Sequence, residues 1–495
     1  MEEILKLTNM AYSYLNYGKI EDAEKILDEL KKKENTQKLK FTISALLIDI
    51  GTESKKMNYI DEGINNLKEL KKETNFNVDY NLANGYYAKY RIMSEKPTYL
   101  TKNKHPLTIA KQLYINDLNK TPIEQLPLLY INLGNTYDYI GRTIDALEYY
   151  EKVPEHPYSL LNKGIGLYEY SKFTNNYLPI LKDAYMCFKS VLKIQNIPLE
   201  FKIICKTYMD TIQEICGYDI LKEKLDKKLT RPSENNFESF IINFCLDNKL
   251  YLNLCNFCQR CDNAIGDTLI IPNMIVKIGT PLEKDPYLKL SSQLNQIKLD
   301  FIISRFLLIL SQSNTSLLDL ISKNTILTET LSYEENNSSV QLLKNSFTSF
   351  FNILDKISHL INLYFDLKKN PKNLNFRNIW NNSKGKINGK LRSLNNIGLS
   401  ALYDIHLELE PKNEKYYLRR MRNELTHNFI PIKLNKLEDD DMTYEELKNN
   451  TIELAKIVKN AIIYLIRAID INEKVKHEKN KDKIIPQMNS EIIKL

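Results

Sequence analysis

Two distant stretches of this chain carry one residue spacing. Ala11, Tyr14, Gly18, Ala23, Leu27 and Leu30 follow one another at intervals of 3, 4, 5, 4 and 3 residues. Gly134, Tyr137, Gly141, Ala146, Tyr150 and Val153 repeat those intervals unchanged. Steps of three and four keep residues on one face of a helix. A longer step that includes a glycine marks where one helix stops and the next begins. Small residues let the two helices approach, and large ones fill the groove between them. Such a unit cannot bury its apolar face alone, so the pattern predicts a stack of helix pairs.

Weaker copies lie between and after these two. Gly63, Leu67 and Leu70 repeat the second-helix pattern, and Gly85 and Tyr86 open another first helix. Gly164 and Leu167 start a further repeat, whose second helix carries Ala184, Phe188 and Val191. The small, aromatic, glycine, alanine, large-apolar order resembles the tetratricopeptide (TPR) repeat. A TPR-like α-solenoid is therefore expected over residues 1–225. The resemblance implies an extended surface for a protein or peptide ligand. The alternative is a scaffold that only packs against the rest of the chain.

The chain has 495 residues, room for roughly two to four domains. Only 14 Gly and 16 Pro interrupt it, and helical periodicity continues beyond the repeats, so the expected class is all-α. The net charge of +7 permits a nucleic-acid partner without demanding one. Its most apolar run, Phe301 to Leu310, is too short to span a bilayer and contains Arg305. Met1-Glu2-Glu3 does not open a signal peptide. These features predict a cytoplasmic protein with no membrane partner and with reduced cysteines.

Residues 226–285 read as a linker and cysteine-containing segment. Cys255, Cys258 and Cys261 are spaced three apart, with Cys245 ten residues upstream of the first. Four thiolates in this window can complete a tetrahedral structural zinc site. Spacing of i, i+3 and i+6 equally fits a stripe of small buried thiols on a helix. Both readings stand at this level. No histidine is near enough in sequence to suggest a catalytic thiol.

Residues 286–478 read as a helical bundle, followed by a charged tail over 479–495. Helices are expected near 286–312, 338–369, 396–410, 413–428 and 444–477. The fourth carries Arg422-Asn423-Glu424-Leu425-Thr426-His427. Arginine grips a phosphate through a fork of donors, and histidine exchanges a proton near neutral pH. The pair is chemically sufficient to cut RNA without a metal. A five-residue offset sets the two side chains about 140° apart on an ideal helix.

This motif resembles the hallmark of the HEPN superfamily of ribonucleases, and the chain resembles the branch fused to TPR repeats. Supporting matches are Phe376 and Trp380, then Asn396 and Leu402-Tyr403-Asp404 before the motif. The Leu252-Asn253 to Asp267 segment also fits. The resemblance implies an endoribonuclease that needs no cofactor for catalysis. His427 would be general base or acid, Arg422 would stabilise charge on the phosphorane, and Asn423 would orient one of them. It also implies a homodimer, with two motif helices forming one composite cleft, and a toxin-like or antiviral role. Lys415, Arg419 and Arg420 are candidates to steer the RNA backbone, and Arg420 is a fallback for the catalytic cation. The competing reading is a non-catalytic interaction adaptor in which Arg422 sits in a local charge pair. Of the other histidines, His359 reads as core and His406 as support for the motif. His105, His156 and His477 read as loop or surface residues.

Overall fold

A computed structural model gives the fold. It describes residues 2–33, 36–73, 76–101, 105–172, 177–217, 231–233, 236–255, 262–272, 274–275, 286–313, 322–328, 333–436, 441–479 and 487–488, with a few single positions between them. Eighteen α-helices and four two-residue strands are present among these residues. The N-terminal helices form a solenoid of pairs, and a helical bundle follows. Two compact units divide the chain, Met1–Lys163 and Gly164–Leu495.

In the first unit, α1 (Glu2–Asn16) packs on α2 (Ile20–Lys31), and α3 (Gln37–Glu53) on α4 (Met57–Glu73). The same holds for α5 (Asp79–Ile92) with α6 (Pro106–Asp117), and α7 (Leu126–Ile140) with α8 (Thr143–Glu151). Ala11, Ala23, Leu27 and Leu30 are buried where the spacing places them. Gly141 ends α7 at φ 99°, a conformation only glycine adopts without penalty. A methyl group on Gly134 would come within 2.6 Å of the Tyr150 ring, so this glycine sets how closely α7 and α8 approach. His105, expected in a loop or at the surface, is the extended residue that precedes α6. It is buried, and its Nδ1 accepts the Leu107 N–H at 3.2 Å, capping α6 ahead of Pro106.

The helix α9 (Pro157–Ser171) crosses the division between the units. In the second unit come α10 (Leu178–Lys193), α11 (Leu199–Cys216) and α12 (Phe237–Asp247). The bundle follows with α13 (Pro286–Ser311), α14 (Ser338–Tyr364), α15 (Gly389–Ser393), α16 (Ile397–Glu408), α17 (Tyr416–His427) and α18 (Tyr444–Glu478). Thr443 and Glu446 form a reciprocal capping box that starts α18. This helix is buried from Leu454 to Ile469 and packs against α13, α14 and α16. Gly398 lets α16 lie directly on Ala468, and the Asn396 side-chain amide donates to the Ala468 carbonyl at 2.8 Å.

The described part of 226–285 is packed rather than a free linker. Buried Arg305 on α13 forms a forked pair with Asp267 at 2.8 and 2.7 Å and donates to the Leu250 carbonyl. Asp267 also accepts the Leu252 N–H. A buried guanidinium needs such partners, and this one fastens the segment to the bundle. Met274–Ile275 pairs antiparallel with Gln487–Met488 of the expected tail. Among the described residues no helix is long and apolar enough to cross a membrane.

Candidate active site

α17 buries Leu418 and Met421 and lies against α14. Arg422 follows Met421 and is half-buried. Its guanidinium carbon is 5.6 Å from the centre of the Phe351 ring, a cation–π contact. Its Nη2 lies 3.9 Å from Asp355 Oδ2, and its Nη1 donates to Asn423 Oδ1 at 3.2 Å. Its Nε is buried and has no partner. His427 is the last residue of α17 and is exposed. Asn423 is exposed as well. No hydrogen bond joins Arg422 to His427. One helix holds both groups, and one copy of it does not bring them together.

The three accompanying cations differ. Lys415 pairs with Glu453, which also accepts the Tyr417 hydroxyl. Arg419 is 11% exposed and pairs with Glu410. Arg420 is 67% exposed and holds only a loose contact with Glu424 at 3.7 Å. It borders an open cleft of about 320 Å³ that Lys436, Asn449 and Asn450 also line. Seven residues separate Arg420 from His427, so the two share a helix face to within about 20°. Arg422 is about 160° around the helix from Arg420.

Behind α17 sits an aromatic cluster. Trp380 and Phe376 are buried, with ring centres 5.8 Å apart. Trp380 meets Tyr403 edge-on at 5.4 Å and stacks on His406 at 6.1 Å. Burial pushes His406 down to about 4, with Arg419 and Arg377 adding to the effect and Glu410 opposing it. His406 is therefore neutral at physiological pH and belongs to the support. His359 on α14 is half-buried. The Phe376 N–H donates to Asp355 Oδ1 at 2.9 Å, which places Asp355 between this cluster and Arg422. Sequence reasoning missed Asp355, Glu410 and Phe351. The one available signal is that Phe351 and Asp355, four apart, share a helix face.

Residues 282–472 match the LA2681-like HEPN family model. The matched region includes α14, α16, α17, the aromatic cluster and both motif residues. No curated protein and no solved structure matches the chain.

The cysteine cluster precedes this HEPN-like region. Cys245 and Cys255 are buried and pack among apolar side chains. Burial pushes the Cys245 thiol up to about 11. Cys258 and Cys261 lie outside the described residues. Among the described residues, no group of three His, Cys, Asp or Glu side chains is placed to hold a metal ion.

Proposed function

We propose that the chain is a metal-independent endoribonuclease whose HEPN-like region carries the reaction. The observation that supports it most is the placement of Arg422 and His427. They lie on one accessible helix, inside the matched region, with His427 exposed to a substrate.

A histidine imidazole takes the proton of a ribose 2′-hydroxyl. The resulting oxygen attacks the adjacent phosphorus, and the bond to the 5′-oxygen breaks. An imidazolium returns a proton to that leaving oxygen. The products are a 2′,3′-cyclic phosphate and a 5′-hydroxyl, with no oxidant, reductant or metal consumed. Arg422 binds the non-bridging oxygens as charge builds on them. Asn423, bonded to Arg422, orients the guanidinium. The angular separation of Arg422 and His427 favours a composite site built by two copies, each supplying one arginine and one histidine. Arg420 is the cation on α17 that favours the RNA path, since Lys415 and Arg419 already have carboxylate partners.

In this reading the solenoid binds a protein or peptide trigger. Half-buried Tyr80 and Asn84 on α5 each accept from the Asn132 amide on α7 at 3.1 Å, a polar link between successive helix pairs. A defence or toxin-like role is proposed on the resemblance to the HEPN superfamily alone. Buried thiols are favoured for Cys245 and Cys255, and stoichiometric zinc in the purified protein would replace that with a structural site.

The 3.9 Å contact between Arg422 and Asp355 favours a second reading, a non-catalytic adaptor with a structural charge pair. Incubation with RNA in EDTA separates the two. Cleavage by the wild type should fall at least ~100-fold in His427→Ala and in Arg422→Ala, with both variants folded. Equal cleavage by wild type and variants would sink the nuclease reading.

A further inference from the structure

We propose that Asp355 and Glu410 are positioning residues, which together clamp the segment 375–381 to α17 and fix the direction of Arg422. The inference uses the nuclease reading for its consequence but not for its geometry.

Two adjacent residues of that segment make two parallel ties. The Phe376 N–H donates to Asp355 Oδ1 at 2.9 Å, while Asp355 Oδ2 faces Arg422 Nη2 at 3.9 Å. Arg377 Nη2 lies 3.1 Å from Glu410 Oε2, while Glu410 Oε1 accepts from Arg419 Nη1. Each carboxylate therefore has one oxygen on the segment and the other on the motif helix. Arg419 and Arg422 are three apart, so both ties reach neighbouring turns of one face.

The segment is itself held fast. Asn375 Oδ1 accepts the N–H groups of Arg377 and Asn378 at 3.1 and 3.0 Å. Phe376 and Trp380 sink into the cluster with Tyr403 and His406. Asp355 thus hangs from a rigid donor and holds Arg422 against the Phe351 ring. At 3.9 Å the pair is too long for a closed, forked salt bridge. Arg422 is aimed through Nη2 without a closed hydrogen bond on that nitrogen, while its Nη1 donates to Asn423. Fixing a long, rotamer-rich side chain before the substrate arrives lowers the entropic cost of the reacting geometry.

Asp355→Asn keeps the acceptor for the Phe376 N–H and removes the charge that faces Arg422. Single-turnover cleavage should slow about tenfold or more, with KM within about twofold and the melting curve little changed. In an Arg422→Ala background the same substitution should have no further effect, because Asp355 acts through Arg422. An unchanged rate, or a second tenfold loss in the Arg422→Ala background, overturns the proposal. Glu410→Gln carries the same expectations and serves if Asp355→Asn fails to fold. A second measurement does not need cleavage. In the protein labelled with [15N]arginine, the buried Arg422 Nε–H should exchange slowly, assigned by its loss in Arg422→Ala. Asp355→Asn should abolish that protection. If wild type cuts no RNA, the nuclease reading has failed, and this signal alone decides: lost protection supports the clamp, and retained protection overturns it.

Discussion

The two units solve burial in different ways. In Met1–Lys163 each helix packs mainly on its sequence neighbours, and small residues set the approach. Its polar groups are met by nearby amides and hydroxyls, such as Tyr114 with Asn84 and Tyr150 with Asn135. In the HEPN-like region the important contacts are non-local. Asp355, Phe376, Trp380, His406 and Glu410 come from three separate segments and converge behind one helix. Local packing can be repeated and extended, which suits a binding surface. Convergent packing holds particular side chains in fixed directions, which suits a reaction.

The largest contrast is expected from one substitution in each unit. Trp380→Ala removes a fully buried side chain and should cost ~3–5 kcal/mol, together with the support for Arg422. Gly134→Ala forces a methyl group against Tyr150 and should cost ~1–3 kcal/mol in the first unit. Trp380 is the chain's single tryptophan, so its fluorescence follows the second unit while far-UV circular dichroism follows both. Gly134→Ala should shift the dichroism transition, leave the fluorescence transition in place and leave cleavage within about twofold at 25 °C. A shift of both transitions would mean that the two units unfold together.

The same contrast has a pH form. Burial pushes the Asp49 carboxyl in the first unit up to about 6, against a hydrogen bond from Tyr12 and with Glu53 adding to the rise. Its proton is held more tightly in the folded state, so its contribution to stability is present below pH ~4 and lost as pH rises through 6. Asp49→Asn should therefore stabilise the first unit above pH 7, by about 1 kcal/mol for this partly exposed residue. His406 runs the other way. Its folded value of about 4 lies below the unfolded 6.5, so the unfolded chain binds the extra proton between them. Stability of the second unit should fall as pH drops from 6.5 to 4, by roughly 3 kcal/mol at most. Guanidinium unfolding of wild type and His406→Gln, followed by Trp380 fluorescence, checks this. A variant with the same pH slope as wild type would remove His406 as the cause.

The sequence reads well wherever contacts are local. The repeat intervals locate the turn at Gly141 and the buried Ala11, Ala23 and Leu30, because neighbouring helices obey one period. The motif helix is legible for the same reason. Its expected span of 413–428 shortens only to Tyr416–His427. Partners chosen across the fold are not legible. Lys415 and Arg419 look like free cations in sequence, and nothing local marks Glu453 or Glu410 as their partners. Asp355 is one acid among 62 Asp and Glu, distinguished only when Phe376 and Arg422 close on it. The burial of His105 is hidden for a different reason. A histidine before proline looks like loop, yet its ring turns back to cap the helix that the proline starts.

Arg420 provides the smallest effect and the finest discrimination within α17. It is exposed, shares the face of His427 and borders the open cleft, whereas Arg422 faces α14. A cation that only guides the RNA backbone contributes to affinity through counterion release and little to the chemical step. Arg420→Ala should therefore raise KM a few-fold, leave kcat within about twofold and reduce the slope of log affinity against log salt by about one. Arg422→Ala should do the reverse, losing kcat with a small change in salt dependence. The opposite pattern, with kcat lost in Arg420→Ala and retained in Arg422→Ala, would move the catalytic cation to the face of His427. A reaction centre within one copy of α17 would then replace the composite one. The two arginines are only two residues apart, so this pair of variants reads the geometry of the helix itself: which face meets the phosphate.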